Sequence, residues 1–273
     1  PFDWNLGYDV EEKVGAIFPT KDQNGSGSCG GQAFSYYDAA IECLVTKTFE
    51  ERSARFLYSQ VYIAPAGSNG RDLCEVLRKQ GDSRETVLSS YDKGLPPSEA
   101  YMQKNSDITD VVRADAKKAR ILSYANVNID IDSVAQAIRQ NAGVVIGITG
   151  SNNGTWSSAF PTPPVGTQVS ERWYHWLFAG KAKMINGKKH IGVLNSWGTA
   201  VGEHGWQWIS EDYFNALLAH DFHGPKAVWQ CWTMVFNTTP PTPDFKYTFK
   251  HDLVYLSVDK DNIELQKALQ LEG

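Results

Sequence analysis

Lys21-Asp22-Gln23-Asn24-Gly25-Ser26-Gly27-Ser28-Cys29-Gly30-Gly31-Gln32-Ala33-Phe34 passes from loop to helix within a few residues. Gly25, Ser26, Gly27 and Ser28 favour a tight turn. From Ala33 on, Phe34, Tyr37, Ala40, Ile41 and Leu44 recur at spacings of three and four, which predicts a helix from about Gly30 to Thr48. Cys29 then stands at a helix N-terminus, where unpaired N–H groups and the positive end of the dipole favour negative charge. That position is expected to lower the thiol pKa and supply thiolate near neutral pH. Gly30 and Gly31 are poor helix formers and fit a site where bulk beside the sulfur must stay small. Taken alone, the stretch also reads as a small buried cysteine in a glycine-rich bend. The residues that decide lie far downstream.

The chain has 273 residues, ordinary for one two-lobed domain and enough for a sizeable core. A net charge of −5 without any basic run argues against nucleic acid as a partner. No stretch approaches the roughly 20 apolar residues of a membrane helix. Cys29, Cys43, Cys74 and Cys231 are too few for a disulfide scaffold and show no CxxC spacing, so neither a zinc site nor any other metal or cofactor is expected. The chain opens on Pro1 rather than Met, as after processing, so any signal peptide or pro-segment lies outside it.

In chain order, residues 1–20 read as an extended lead-in, and Phe56–Ile63 as a short helix or packed segment. A loop over 65–70 precedes a helix from an Asp72 N-cap to about Gln80, and the chain to about Asp107 reads as polar loop. The pattern then changes. Ala119–Val127 has strand character, and Ile131–Asn141 reads as an amphipathic helix capped by Asp132 or Ser133. Gly143–Thr149 reads as a buried strand, followed by a Gly, Pro, Ser and Thr-rich loop over 151–170. Strands follow at 173–184, 189–194, 205–209 and 228–236, the first two joined by an Asn186-Gly187 hairpin turn. The reading is α+β: a mainly helical part (about 20–115) and a mainly antiparallel β part (about 116–237).

Two downstream motifs bear on Cys29. Trp173-Tyr174-His175-Trp176-Leu177-Phe178 puts a histidine at the start of an apolar strand. Leu194-Asn195-Ser196-Trp197-Gly198-Thr199 is followed by Gly202-Glu203-His204-Gly205-Trp206. Alone, the first reads as a core histidine and the second as a turn. Together they offer what a catalytic thiol lacks, an imidazole to take its proton and an amide oxygen to fix the ring's tautomer.

Here the chain resembles the papain-like cysteine peptidases, in a divergent bacterial or phage-type branch. Asp3-Trp4, Gly15-Ala16-Ile17 and Lys21-Asp22-Gln23 resemble the mature N-terminus and the oxyanion-hole glutamine. Gly27-Ser28-Cys29 resembles the nucleophile motif, His175 opens the histidine strand, and Asn195-Ser196-Trp197-Gly198 matches the asparagine motif with its Gly-Glu-x-Gly continuation. His175 lies 146 residues beyond Cys29 and Asn195 166 beyond (175 − 29 and 195 − 29). The family places them roughly 130–150 residues downstream, and the long 151–170 loop accounts for the excess. Two departures stand out: Gly30 replaces the aromatic that usually follows the nucleophile, and Ser26 replaces the cysteine of the usual first disulfide.

The resemblance implies a two-lobed fold with the active-site cleft between a helical lobe and a β-barrel-like lobe. It implies a peptide or protein substrate and a cysteine endopeptidase in which a Cys29 thiolate pairs with His175. Asn195 would orient the imidazole, Gln23 would complete the oxyanion hole, and Trp197 would shield the His–Asn contact. Gly67 and Ser68 would bind substrate backbone, with Tyr174 and Trp197 also on the substrate side. A monomer, secreted or extracytoplasmic, open to control by a pro-segment or protein inhibitor, is implied as well. Two alternatives remain at this point: a peptidoglycan-directed Cys–His hydrolase and a catalytically silent peptide-binding homologue. Residues 238–244 read as a Pro-rich linker, and 245–273 as a docked tail or the start of a further module.

Overall fold

The computed structural model describes residues 1–236; the linker and tail expected over 238–273 lie outside the described residues. Strand β1 (Tyr8–Asp9) and helix α1 (Val10–Val14) come first, where the sequence suggested extended chain. The missed signal is capping. The Asp9 carboxylate accepts from the Glu11 N–H, and Gly15 closes the turn in the left-handed region at φ 71°.

Helix α2 (Cys29–Thr46) starts at the nucleophile candidate, and α3 (Ala54–Gln60) is capped by the Ser53 hydroxyl. Helix α4 (Gly70–Lys79) is capped by Asn69 rather than Asp72, which falls inside the first turn. There an acidic side chain complements the helix dipole without capping it. Short helix α5 (Glu99–Met102) interrupts what reads as loop, and α6 (Asp110–Ala116) follows it in a stretch given no reading; each is capped by a hydroxyl, Ser98 and Thr109. Helix α7 (Ile131–Asn141) is capped by Asp130 rather than by the Asp132 or Ser133 of the sequence reading, and α8 is Glu211–Asn215.

Strands β2 (Ile121–Asn126), β3 (Val144–Ser151), β4 (Arg172–Ile185), β5 (Lys188–Leu194), β6 (Trp206–Ser210) and β7 (Val228–Phe236) form one antiparallel sheet. Its order is β2-β7-β3-β4-β5-β6, with β1 added to β4. Asn186 and Gly187, both at positive φ, make the β4–β5 turn. Every residue of β3 is buried, as expected of a strand covered on both faces.

Helix α2 packs its apolar side (Ala33, Phe34, Tyr37, Ala40, Ile41) into the core. Phe178 of β4 meets Tyr36 and Tyr37 there, at ring centroids 6.2 and 5.8 Å away. The Tyr37 hydroxyl donates to Asn141 O (2.9 Å) and accepts from Met234 N (3.1 Å), pinning α2 to the end of α7 and to β7. Cys43, Cys74 and Cys231 are buried, Cys29 is partly exposed, and all four thiols are free. Burial raises the pKa of Cys43, lifts that of Cys74 well above its ordinary value, and raises that of Cys231.

Candidate active site

The loop ahead of α2 is held at both ends. At its start the buried Lys21 donates through Nζ to Ser35 Oγ (2.6 Å) and Arg52 O (2.9 Å). The Tyr36 hydroxyl accepts from Lys21 N and donates to Pro19 O. Across the sheet lobe, Gln23 N donates to Ser196 O (2.9 Å) and Gly198 N to Lys21 O (3.0 Å), around an antiparallel bridge between Asp22 and Trp197. The loop carrying Gln23 and Cys29 is thus joined by backbone hydrogen bonds to the loop carrying Asn195.

Gln23 is buried, with its Nε2 donating to Ser26 O at 2.5 Å and its Oε1 accepting from Ser196 Oγ at 2.6 Å. A carbonyl can only accept, so Ser26 O fixes which end of the amide is nitrogen. One Nε2 hydrogen is committed to it, which leaves one.

His175, on β4 opposite Ile148 of β3, is 3 % exposed. Its Nε2 lies 2.9 Å from Asn195 Oδ1. Which partner donates is set two residues further back. Gln207 Nε2 donates to the carbonyls of Trp156 (2.9 Å) and Ser158 (2.8 Å), so its Oε1 faces Asn195 and accepts from Asn195 Nδ2 at 2.8 Å. Asn195 must therefore present Oδ1 to the ring, and the same oxygen also accepts from Ser196 N at 2.7 Å. His175 donates from Nε2, and Nδ1 is left as the basic nitrogen. Trp197 lies over the imidazole at 4.7 Å between centroids, and Trp173 meets it edge-on at 6.1 Å. Trp156 backs both indoles.

Cys29 Sγ is 4.0 Å from Gly27 O, and the N–H groups of Trp176, Gly30 and Cys29 itself face it. Trp176 directly follows His175, so the sulfur sits against the histidine strand. Gly30 explains one departure from the family pattern. A Cβ there would come within 2.5 Å of Ser68 Oγ and 2.7 Å of Leu73 Cδ1, with Trp176 Cδ1 at 3.4 Å. The side chains of Ser68 and Leu73 already fill the space that a larger residue 30 would need.

The electrostatics differ from the sequence expectation. Burial raises the Cys29 pKa to about 11 and outweighs the three N–H groups that lower it. Burial under the tryptophans lowers His175 to about 4, against the Asn195 hydrogen bond that raises it. Helix placement alone does not decide the ionisation; burial favours the neutral form of both groups.

The substrate-side candidates divide. Gly67, at φ 131°, has both backbone groups engaged: its N–H donates to the Tyr58 hydroxyl (2.9 Å) and its C=O accepts from Ile63 N (2.9 Å). Among the described residues, neither the N–H nor the C=O of Ser68 has a hydrogen-bond partner, so the free backbone edge lies one residue beyond Gly67. Tyr174 is 36 % exposed and turned away from His175 by strand alternation, with its ring on Phe222 and His223. Trp197 is half-buried over the histidine. Gln207 was missed in the sequence. Its signal was a polar side chain between two tryptophans in a buried strand, a position that demands a partner.

No family model and no curated protein matches the sequence. Solved structures do. The chain is similar to xylellain, a cysteine protease from Xylella fastidiosa, with 19 % identity over 86 % of this chain and 87 % of that one, at a TM-score of 0.67. It is similar to digestive procathepsin L 3 of Tenebrio molitor larval midgut, with 16 % identity over 86 % of this chain and 71 % of that one, at 0.64. It is also similar to the bromelain protease of Ananas comosus, solved with the E64 inhibitor, with 18 % identity over 84 % of this chain and 98 % of that one, at 0.62. The likeness is one of fold: the chain has the two-lobed α+β fold of the papain-like proteins, with a cleft between a helical lobe and a sheet lobe.

Proposed function

We propose that this chain, built on the papain-like fold, is a cysteine endopeptidase whose nucleophile is Cys29. The observation that carries the reading is the one-directional chain of hydrogen bonds from the Trp156 and Ser158 carbonyls through Gln207 and Asn195 to His175 Nε2. It leaves Nδ1 as the base on the strand that faces the sulfur.

As Sγ attacks the peptide carbonyl, its proton passes to His175 Nδ1 and the carbonyl π electrons move onto oxygen. The Cys29 N–H and the remaining Gln23 Nε2 hydrogen donate to that oxyanion. Collapse breaks the C–N bond, and His175 returns the proton to the departing amine. Water then attacks the thioester carbonyl with His175 as base, and the acid leaves as the thiol re-forms. The Ser68 backbone is free to hydrogen-bond an extended peptide. A monomer acting outside the cytoplasm, held in check by a pro-segment or protein inhibitor, accords with this reading; similar structures include a procathepsin and an inhibitor-bound enzyme.

The test is intact-mass labelling with an epoxysuccinyl peptide, on wild type and Cys29→Ala, followed by profiling of cleavage sites in a peptide library. One adduct on wild type and none on the variant supports the proposal. Folded, reduced wild type that takes no adduct refutes it. Gln23→Ala is expected to lower kcat about 10²–10³-fold, the usual cost of one oxyanion donor; a loss in kcat/KM under about threefold would remove Gln23 from that role.

A pH profile tests the ionisation. With the thiol pKa raised to about 11, thiolate becomes about tenfold scarcer for each pH unit below it. Iodoacetamide inactivation is therefore expected to quicken steadily from pH 6 to pH 10. A plateau across that range would instead mark a standing thiolate–imidazolium pair.

A further inference from the structure

We infer that Glu99, acting through Tyr58, is a positioning residue that clamps the nucleophile loop to the substrate-facing loop. The inference rests on the peptidase reading for its consequence, but not for its geometry. Glu99 Oε2 accepts from Gly27 N at 2.5 Å, two residues before Cys29. Its Oε1 accepts from the Tyr58 hydroxyl at 2.6 Å. That hydroxyl in turn accepts from Gly67 N at 2.9 Å, next to the free backbone of Ser68. One carboxylate therefore holds residue 27 directly and residue 67 through a fully buried phenol.

Among the described residues, no hydrogen bond joins the two loops directly; they meet by close approach. A Cβ on Gly27 would fall 2.6 Å from Ala66 Cβ and 2.7 Å from Gly67 N, so the contact requires glycine. No disulfide spans them, since all four thiols are free. Hydrogen bonds to an ionised acceptor are shorter and about twice as strong as neutral ones, which suits a carboxylate to a task that covalent bonding does not perform here.

The clamp has its own foundation. Arg55 of α3 donates through Nε to Tyr101 O (3.0 Å) and through NH2 to Asp107 Oδ2 (2.5 Å), with its guanidinium 3.9 Å from the centre of the Tyr101 ring. These contacts fix α5, which carries Glu99 at its first position. Asn24 Nδ2 donates to Pro97 O at 3.5 Å, a second tie between this segment and the nucleophile loop. Among the described residues Glu99 makes no hydrogen bond to the sulfur or the imidazole, although beside the larger effect of burial its charge adds a minor upward push on the thiol pKa. Its effect is to set the spacing between the attacking atom and the edge on which a peptide would lie.

Glu99→Gln, Tyr58→Phe and the double variant test this by two readouts. Hydrogen exchange over peptides spanning 24–30 and 63–69 is expected to quicken about tenfold in each single variant, the scale of one lost hydrogen bond to a charged group; β3, β4 and β5 should be unchanged. Alkylation by the epoxysuccinyl peptide is expected to slow about tenfold, while iodoacetamide, which needs no binding edge, changes less than about twofold. Because the residues act as one unit, the double variant should be little worse than either single one. Unchanged exchange in both loops, or equal slowing with both reagents, overturns the clamp. Wild type inert to both reagents overturns the peptidase reading, and the exchange measurement still decides the clamp.

Discussion

Cys29→Ala is expected to lower kcat for peptide hydrolysis by at least about 10⁴-fold. A site that has lost its nucleophile keeps only substrate binding and oxyanion stabilisation, and such remnants give about 10³–10⁴ over water where the intact site gives about 10⁶ more. The fold should not suffer. Cys29 is partly exposed, the contacts of Sγ are a long approach to Gly27 O and three N–H groups, and alanine suits the first turn of α2 better than cysteine. Thermal unfolding of the variant should match wild type within about 2–3 °C. Turnover of a library-selected peptide at more than about one hundredth of the wild-type rate would mean that another group attacks the carbonyl.

Gln207→Leu is the second large effect, and it acts without touching substrate. Leucine removes the acceptor for Asn195 Nδ2 and the donors for the Trp156 and Ser158 carbonyls. An unpaired buried polar group costs about 1–3 kcal/mol. The Asn195 amide loses the partner that selects its orientation, and the Ser196 N–H alone still favours Oδ1 toward the ring. A turned amide shows Nδ2 to the ring. His175 must then accept at Nε2 and carry its proton on Nδ1, where it cannot take one from the thiol. A wrong tautomer costs about 10⁴ in the serine-protease triad, whereas outer partners of catalytic groups typically cost 10–100-fold. We expect about a 10²-fold fall in kcat with KM little changed. Gln207→Glu keeps an acceptor for Asn195 and loses only the two donors, so it should recover part of the rate. A kcat within threefold of wild type in Gln207→Leu would show that Asn195 holds its orientation unaided.

The main elements and the candidate site residues were read from the sequence for different reasons. Helix α2, strand β3 and the Asn186-Gly187 hairpin follow from local pattern, because periodicity and turn chemistry act over a few residues. Cys29, His175, Asn195 and Gln23 emerged only as an ordered set, since each alone has an ordinary structural reading. What stayed hidden depends on tertiary neighbours. The Asp9 cap reveals α1 only once Glu11 is placed, and Asn69 takes from Asp72 the capping role that composition suggested. Tyr58 claims the Gly67 N–H across eight intervening positions. The raised thiol follows from tertiary burial of Cys29, which the helix-terminus argument does not contain. Gln207 was visible as a polar residue between tryptophans, but its use could be known only from the carbonyls it meets.

Three thiols shut in the interior and one at the cleft make the chain its own active-site counter. Because Cys43, Cys74 and Cys231 are buried and Cys29 is partly exposed, a maleimide or iodoacetamide reagent is expected to find one address per folded molecule. A mass shift of a single label then reports the concentration of folded molecules with Cys29 open to solvent. A second label marks a molecule that has begun to unfold.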